Sequence, residues 1–380
     1  MNRSNKRLKF LFVIDNLNTG GAQRQLINLT LGLTQRGYQV ELFCYAPGDL
    51  LAKPLYDAAI QIHWYIKRSR FSFGVILALN DLINKGQYNL VLSFLPTPNF
   101  YTILTGRILR LKRIPVIVSE RRGDVPGGPR FLTRFSRQFY RLATHVVTNS
   151  HHQRIDLVKN YPWLQNRLST IYNGYDLSYL IPALVQPDNH PLHMLTIAHV
   201  SPYKNGLCLV EAMNLLRTRD GLTPQVDWIG ELIMKGEPLE YLNEMKRKIE
   251  EYRLEKDWTW LNQRTDIVDQ FHQHDVLVHP SYGEGLPNVV CEALACARPV
   301  IVSDLLDHSQ LVQNGKSGYL FNHMDPSDLA EKIKMFIRLT PDERKKMGMC
   351  GREYAESNLS IDRLTDDYER LFMSMINQKE

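Results

Sequence analysis

Cysteine is scarce in this chain: five among 380 residues, Cys44, Cys208, Cys291, Cys296 and Cys350, with no CxxC pair. An odd set of scattered thiols provides no disulfide framework and fits a reducing cytosol. No apolar run approaches the roughly 20 residues that a transmembrane helix requires. The opening MNRSNKRLKFLFVIDN is basic and then apolar. Its apolar part, Phe10 to Ile14, is too short for a secretory signal and lacks a small-residue cleavage site, so it reads as a first strand. Metal-ligand spacing is also missing among the twelve histidines: His151-His152 and His272-x-His274 read as surface pairs, and no metal is expected. No zinc-finger spacing and no RNA-binding aromatic motif is found, which argues against a nucleic-acid partner. Internal repeats and low-complexity tracts are absent.

What the chain does have is length, alternation and a divided charge. Its 380 residues suit two domains of about 150 to 200 residues each, and an apolar fraction of 44% is ordinary for a globular protein. The net charge of +6 conceals a contrast: residues 1–190 hold 24 Lys and Arg against 10 Asp and Glu, whereas residues 191–380 hold 22 against 30. Such asymmetry directs an anionic partner to the first half.

Strand and helix patterns alternate almost throughout. KFLFVID ends in the Gly-rich turn NTGGAQ, the helical RQLINLTLGLTQRG follows, and YQVELFCY is a strand again. YNLVLSFL, IPVIVSE and THVVTNS repeat the strand pattern. The proline-bearing stretch IPALVQPDNHP reads as a linker, after which LHMLTIAHV, GLCLVEAMNLL and QVDWIG restart the alternation. This predicts an α/β fold with two Rossmann-like domains. The first spans 1–180, a linker 181–191, the second 192–360, and a C-terminal helix over 361–380 is expected to pack back on the first. Ligands of such sheets bind beyond the carboxyl ends of the strands.

EGLPNVVCE, residues 284–292, sets two glutamates with seven residues between them across a Pro-Asn helix start. Glu284 falls in the loop YGEGLP after a strand, and Glu292 about one turn into the following helix. Gly285 permits close approach of a ligand, and free backbone N–H groups at a helix start favour an anion. A carboxylate at Glu292 suits paired sugar hydroxyls. The residues therefore predict a polyol-phosphate site.

Glu284 and Glu292, with ALACARPVIVSD downstream, resemble the E-x7-E motif of the retaining glycosyltransferases of family 4, which have the GT-B fold of two Rossmann-like domains facing across a cleft. NTGGAQRQLINL resembles the family's N-terminal Gly-Gly loop, IYNGYD (171–176) the segment closing its first domain, and IAHVSPYKNGLCLVEAM its donor-phosphate strand, loop and helix. The resemblance runs from residue 10 to about 330. It implies that Glu284 contacts the transferred sugar with Gly285, Leu286, Pro287 and Asn288, that Glu292 holds the ribose, and that Lys204 binds the donor diphosphate. Gly20 and Gly21 would approach the phosphate or acceptor.

Three positions depart from the family pattern. His199 stands where the family usually has Arg, so either the diphosphate clamp is weaker or Arg264 replaces it; Asn262 stands where a glycine commonly lies beside the base. VIVSERRGD (116–124) resembles the Ser-Glu-Arg-Asn segment of a subgroup that transfers N-acetylhexosamines in surface-polysaccharide and lipid-linked oligosaccharide assembly, with Arg122 in place of Asn. Glu120 would orient an acceptor hydroxyl beside Arg121 and Arg122, or else form an ion pair with one of them. The implied activity is transfer of a hexose or N-acetylhexosamine from a nucleotide sugar, a UDP-sugar by expectation, to a glycan or lipid-linked acceptor with retention and no cofactor. A nucleotide-sugar 2-epimerase, or a non-catalytic glycan- or lipid-binding relative, is the alternative. In RFLTRFSRQFYRL (130–142), Arg130, Arg134, Arg137 and Arg141 share one helical face beside phenylalanines. That pattern predicts peripheral docking on the anionic cytoplasmic leaflet.

Overall fold

The computed structural model describes residues 8–18, 20–69, 71–108, 114–121, 135–183, 187–232 and 236–377. The chain divides into two units. One comprises Met1–Gly174 with Ile361–Glu380, and the other Tyr175–Ser360. The division falls at Gly174–Tyr175, ahead of the proline-bearing stretch, which lies inside the second unit.

The first unit is built on a seven-stranded sheet ordered β3-β2-β1-β4-β5-β6-β7. Its strands are β1 (Lys9–Ile14), β2 (Gln39–Cys44), β3 (Ile62–Trp64), β4 (Leu90–Phe94), β5 (Val116–Glu120), β6 (His145–Thr148) and β7 (Leu168–Thr170). Every pairing is parallel. In β1, Phe10 to Ile14 are all buried, and β4 is buried at every position. This follows from a parallel sheet covered on both faces, where apolar runs replace alternation.

The helix Ile361–Asn377 completes this unit's core. Leu364, Tyr368 and Phe372, at i, i+4 and i+8, are buried, and Phe372 meets Phe10 edge-on with ring centroids 5.1 Å apart. Burial of each such side chain stabilises by roughly 1.5–3 kcal/mol. The helix packs on Gly21–Gln35, where a Cβ on Gly32 would stand 2.3 Å from Thr365 Oγ1. Glycine there is what lets the two helices approach.

The second unit carries a six-stranded sheet ordered β10-β9-β8-β11-β12-β13. Its strands are β8 (His193–Ile197), β9 (Gln225–Ile229), β10 (Trp258–Leu261), β11 (Val276–His279), β12 (Val300–Ser303) and β13 (Gly318–Phe321). These pairings are parallel as well. Helix Gly206–Asp220 packs against Pro326–Ile337, and helix Asn288–Ala295 against Pro341–Asn358. Trp228, fully buried, stacks on Trp258 at 5.9 Å and anchors the core under β8 and β9. Among the described residues, no helix is long and apolar enough to cross a membrane.

Candidate functional site

The strand order of the second unit reverses between β8 and β11. Chain leaving β8 turns toward β9 while chain leaving β11 turns toward β12, and a crevice opens between the two loops. Residues 80 positions apart are thereby brought together. Lys204, from the loop after β8, places its Nζ 2.5 Å from Oε1 of Glu284, in the loop after β11. His279, the last residue of β11, places Nε2 2.6 Å from the same oxygen. The loops are joined through their backbones as well: Tyr282 N–H donates to the Tyr203 carbonyl at 2.9 Å, and Ser281 Oγ donates to it at 3.1 Å.

Burial and charge decide the state of this cluster. The Glu284 side chain is 13% exposed, Lys204 11% and His279 1%. Burial pushes the Glu284 carboxyl up, but the charges of His279 and Lys204 and their hydrogen bonds outweigh it, holding the group well below the usual carboxylate range. Glu284 is thus ionised at neutral pH and accepts hydrogen bonds only. Both partners sit on Oε1, leaving Oε2 for a ligand. An ammonium has three donors, so Lys204 keeps two for an anion without releasing Glu284.

Around this pair the side chains are neutral. His199 places Nε2 2.6 Å from Tyr203 Oη. Burial first, then the Lys204 charge, lowers its pKa, so this ring lacks the fixed charge of an arginine. His308 packs edge-on to His279 at 5.7 Å, with Nδ1 2.8 Å from the Ser303 carbonyl. Burial, followed by the charge of His279, lowers its pKa to about 4. His279 and His308 were not among the residues expected from sequence. The available signal was a polar residue closing the apolar strand DVLVH, one loop ahead of Glu284.

The helix after Glu284 runs Asn288–Ala295, with Pro287 as its cap residue. Asn288 Oδ1 accepts from Tyr175 Oη at 2.6 Å, and Glu292 is half-buried one turn in. The N–H groups of Val290 and Cys291 both return to the Pro287 carbonyl, so the expected anion site narrows to the amides of Asn288 and Val289. Gly285 is partly exposed beside Glu284, while Leu286 and Pro287 are buried. Asn262 is exposed just past β10. Arg264, expected as a substitute clamp, instead grips Asp266 through Nε at 2.8 Å and Nη2 at 2.6 Å. A cavity of about 460 Å³ opens beside the cluster between Asn205, Cys208, Tyr282 and His323, and no carboxylate of the E-x7-E pair lines it.

In the first unit several expectations require correction. Glu120 is 1% exposed and receives the Tyr140 hydroxyl, with Arg137 Nε at 3.6 Å. Among the described residues its cationic neighbour is Arg137 rather than Arg121, and it is buried rather than presented to an acceptor. Arg121 is spent inside the fold, donating to Ser119 Oγ at 2.8 Å, Asn173 Oδ1 at 2.6 Å and Tyr368 Oη at 2.6 Å, with its guanidinium over Phe94 at 4.3 Å. Arg137 leaves the expected basic stripe because it is 5% exposed. Arg141 is exposed and lies over Trp163 at 4.9 Å. Arg122, Arg130 and Arg134 lie outside the described residues. Gly20 precedes the helix Gly21–Gln35 with extended backbone, and Gly21 is exposed at its first turn. His274 is no surface residue, being 1% exposed.

Comparison with known proteins places this geometry. The family model described as Glycosyltransferase Family 4 matches residues 19–179, and the model described as Glycosyl transferases group 1 matches residues 191–338. The chain belongs to the family 4 glycosyltransferases. A curated relative from Escherichia coli, UDP-Gal:alpha-D-GlcNAc-diphosphoundecaprenol alpha-1,3-galactosyltransferase, is 25% identical over 80% of each chain. Among solved structures, a glycosyltransferase from Rickettsia africae superposes with a TM-score of 0.81 at 17% identity, covering 98% of this chain and 99% of that one. Anabaena Alr3699/HepE in complex with UDP superposes with a TM-score of 0.79 at 17% identity, covering 97% and 100%. The two parallel-sheet units are those of a GT-B glycosyltransferase.

Proposed function

We propose that this glycosyltransferase moves a hexose or N-acetylhexosamine from a UDP-sugar to a hydroxyl of a lipid-linked or polymeric glycan, with retention at the anomeric carbon. The observation that carries the reading is the Lys204–Glu284–His279 cluster: an ionised carboxylate with one oxygen left for a ligand, beside an ammonium with two donors left. In this reading Glu284 Oε2 accepts from the hydroxyls of the transferred sugar. Lys204 binds the diphosphate and neutralises charge developing on the departing phosphate oxygen. Glu292, one turn into the helix, accepts the ribose hydroxyls. The bond between the anomeric carbon and the phosphate oxygen breaks and a bond to the acceptor oxygen forms on the same face. The acceptor proton passes to the leaving phosphate. The protein contributes position and electrostatics.

Glu284 and Glu292 belong to one loop-helix unit. That arrangement differs from the paired carboxylates of glycosidases, which flank the scissile bond. The UDP donor is supported by the donor in the E. coli relative's name and by the UDP bound to the Anabaena protein. The acceptor is supported by the diphosphoundecaprenol in the same relative's name. A lipid diphosphate would bring the basic first unit to an anionic bilayer, on which Arg141 and the exposed Phe135 are available for contact.

The test is incubation with a panel of UDP-sugars, with and without a lipid-diphosphate glycan. Expected are acceptor-dependent UDP release and a product whose anomeric proton keeps the donor's configuration. Interconversion of the sugar without UDP release would mean an epimerase, and no turnover with any donor would mean a binding protein.

A further inference from the structure

Far from the Glu284 cluster, at the opposite, amino-terminal edge of the second unit's sheet, three side chains from separate segments converge. His193 opens β8, Asp227 lies on β9, and His274 immediately precedes β11. Nε2 of His193 lies 3.3 Å and Nε2 of His274 3.1 Å from one oxygen, Oδ2 of Asp227. The three ligand-type atoms all lie within 4.8 Å of one another. We propose that His193, Asp227 and His274 form a binding site for a divalent transition-metal ion of zinc type, with its remaining position open to solvent.

Three features favour this over a plain ion-pair network. First, His274 Nδ1 is 2.7 Å from the Gln270 carbonyl, an acceptor only. Nε2 is thus the ring atom that faces Asp227 Oδ2, at 3.1 Å. An imidazole whose other nitrogen is bonded to a backbone carbonyl is the usual form of a metal-binding histidine. Second, the imidazole rings lie 4.3 Å apart. At that separation both Nε2 atoms can reach one ion beside Asp227 Oδ2. The 3.3 Å separation at His193 is also beyond a good N–H···O bond. Third, two ligands about 2.0–2.1 Å from a tetrahedral zinc stand roughly 3.3 Å apart, which matches both observed separations.

The frame is rigid and accessible. His193 N–H donates to Asp275 Oδ2 at 2.8 Å, and Asp275 N–H returns a bond to the His193 carbonyl at 2.9 Å, so the residue after His274 locks His193 in place. Asp275 is itself buried, with Arg344 3.6 Å away. The His193 side chain is 27% exposed, Asp227 16% and His274 2%, which leaves an entry path on the His193 side. A bound ion would fasten the end of helix Ile267–Gln273 to two strands. Spacing along the chain conceals the site because each ligand comes from a different segment.

Tag-free full-length protein, stripped with chelator and dialysed against zinc chloride, tests the site by metal analysis and titration calorimetry. Expected are one zinc per chain, a visible absorption spectrum of tetrahedral type when cobalt replaces zinc, and a melting temperature raised by zinc. His193→Ala, at the exposed side of the site and so the variant best able to fold, should weaken zinc binding at least tenfold and abolish the melting shift, as should Asp227→Asn. His272→Ala, a neighbouring histidine outside the cluster, should change neither. No stoichiometric zinc uptake by the parent, or uptake unaltered in folded His193→Ala, overturns the proposal. Transfer activity does not enter the readout, so the result stands apart from the glycosyltransferase reading.

Discussion

Each unit ends a parallel strand with a carboxylate near a cation, and the two clusters are used in opposite ways. Glu120 closes β5 at 1% exposure, and the adjacent Arg121 directs three donors into Ser119, Asn173 and Tyr368. Glu284 follows β11 at 13% exposure, and its two partners share a single oxygen. In the first unit the Arg121 donors are taken up by the fold and help specify how the last helix docks. In the second the charges are preorganised with capacity to spare, as a ligand site requires. Position at a strand end is thus not sufficient for a binding role; burial of the carboxylate and the use made of the neighbouring cation are what separate the two clusters.

The contrast is broken most directly at Glu284. Glu284→Gln should lower the transfer rate about 10²- to 10³-fold while UDP affinity stays within a few-fold, measured by UDP release and calorimetry. A rate within threefold of the parent would remove Glu284 from the reaction. Next in size is Arg121→Met, which leaves three buried acceptors without their donor and should cost roughly 2–4 kcal/mol in urea unfolding with UDP affinity unchanged. An unaltered urea midpoint together with lost transfer would make Arg121 a ligand contact after all. Glu292→Ala should then weaken UDP binding by about 1–3 kcal/mol, and unchanged affinity in a folded variant would exclude the ribose role.

Acid stability should expose what the units share. Burial lowers the pKa of His145 in the first and His308 in the second to about 4. Since the folded values lie below the ordinary value of about 6.5, the unfolded chain takes up protons first as pH falls. The stability associated with the neutral rings is complete above about pH 6.5 and is lost between there and about pH 4, most steeply in the parent and less in His308→Asn. A urea midpoint flat across that range would contradict the burial of these rings. The smallest effect belongs to His199→Arg, which should improve UDP affinity a few-fold by adding a permanent charge. In the parent, whose His199 is neutral, affinity should not respond to this ring between pH 7 and 8. A tenfold loss in the arginine variant would give His199 a different task.

The sheets and the positions of Glu284, Glu292 and Lys204 after strands were legible because they depend on local pattern: apolar runs for covered parallel strands, and a loop and helix start after each. Partners contributed from far along the chain were not. Nothing near Arg121 indicates that Asn173 and Tyr368 will take its donors. Arg137 leaves the expected basic stripe for a local reason. The α-helix gives way to a 3₁₀ segment at Phe139–Leu142, and three residues per turn replaces 3.6. Arg137 and Arg141 therefore leave a common face, and Arg137 turns inward with Tyr140. His279 was hidden because a histidine closing an apolar strand becomes meaningful only once the neighbouring loop is known.

The last helix carries a consequence for synthesis. Tyr368 and Phe372 are core residues of the first unit, yet the ribosome delivers them only after all of Tyr175–Ser360 has emerged. The earlier strands must wait with an unfilled groove, and Arg121 without one of its acceptors, while the second unit is translated. That second unit has no such delay, because its two ends meet where Tyr175 N–H donates to the Leu359 carbonyl at 2.8 Å. Excised as residues 175–360, it is the half that should fold alone during translation and bind UDP, whereas the first matures only when its final turns arrive.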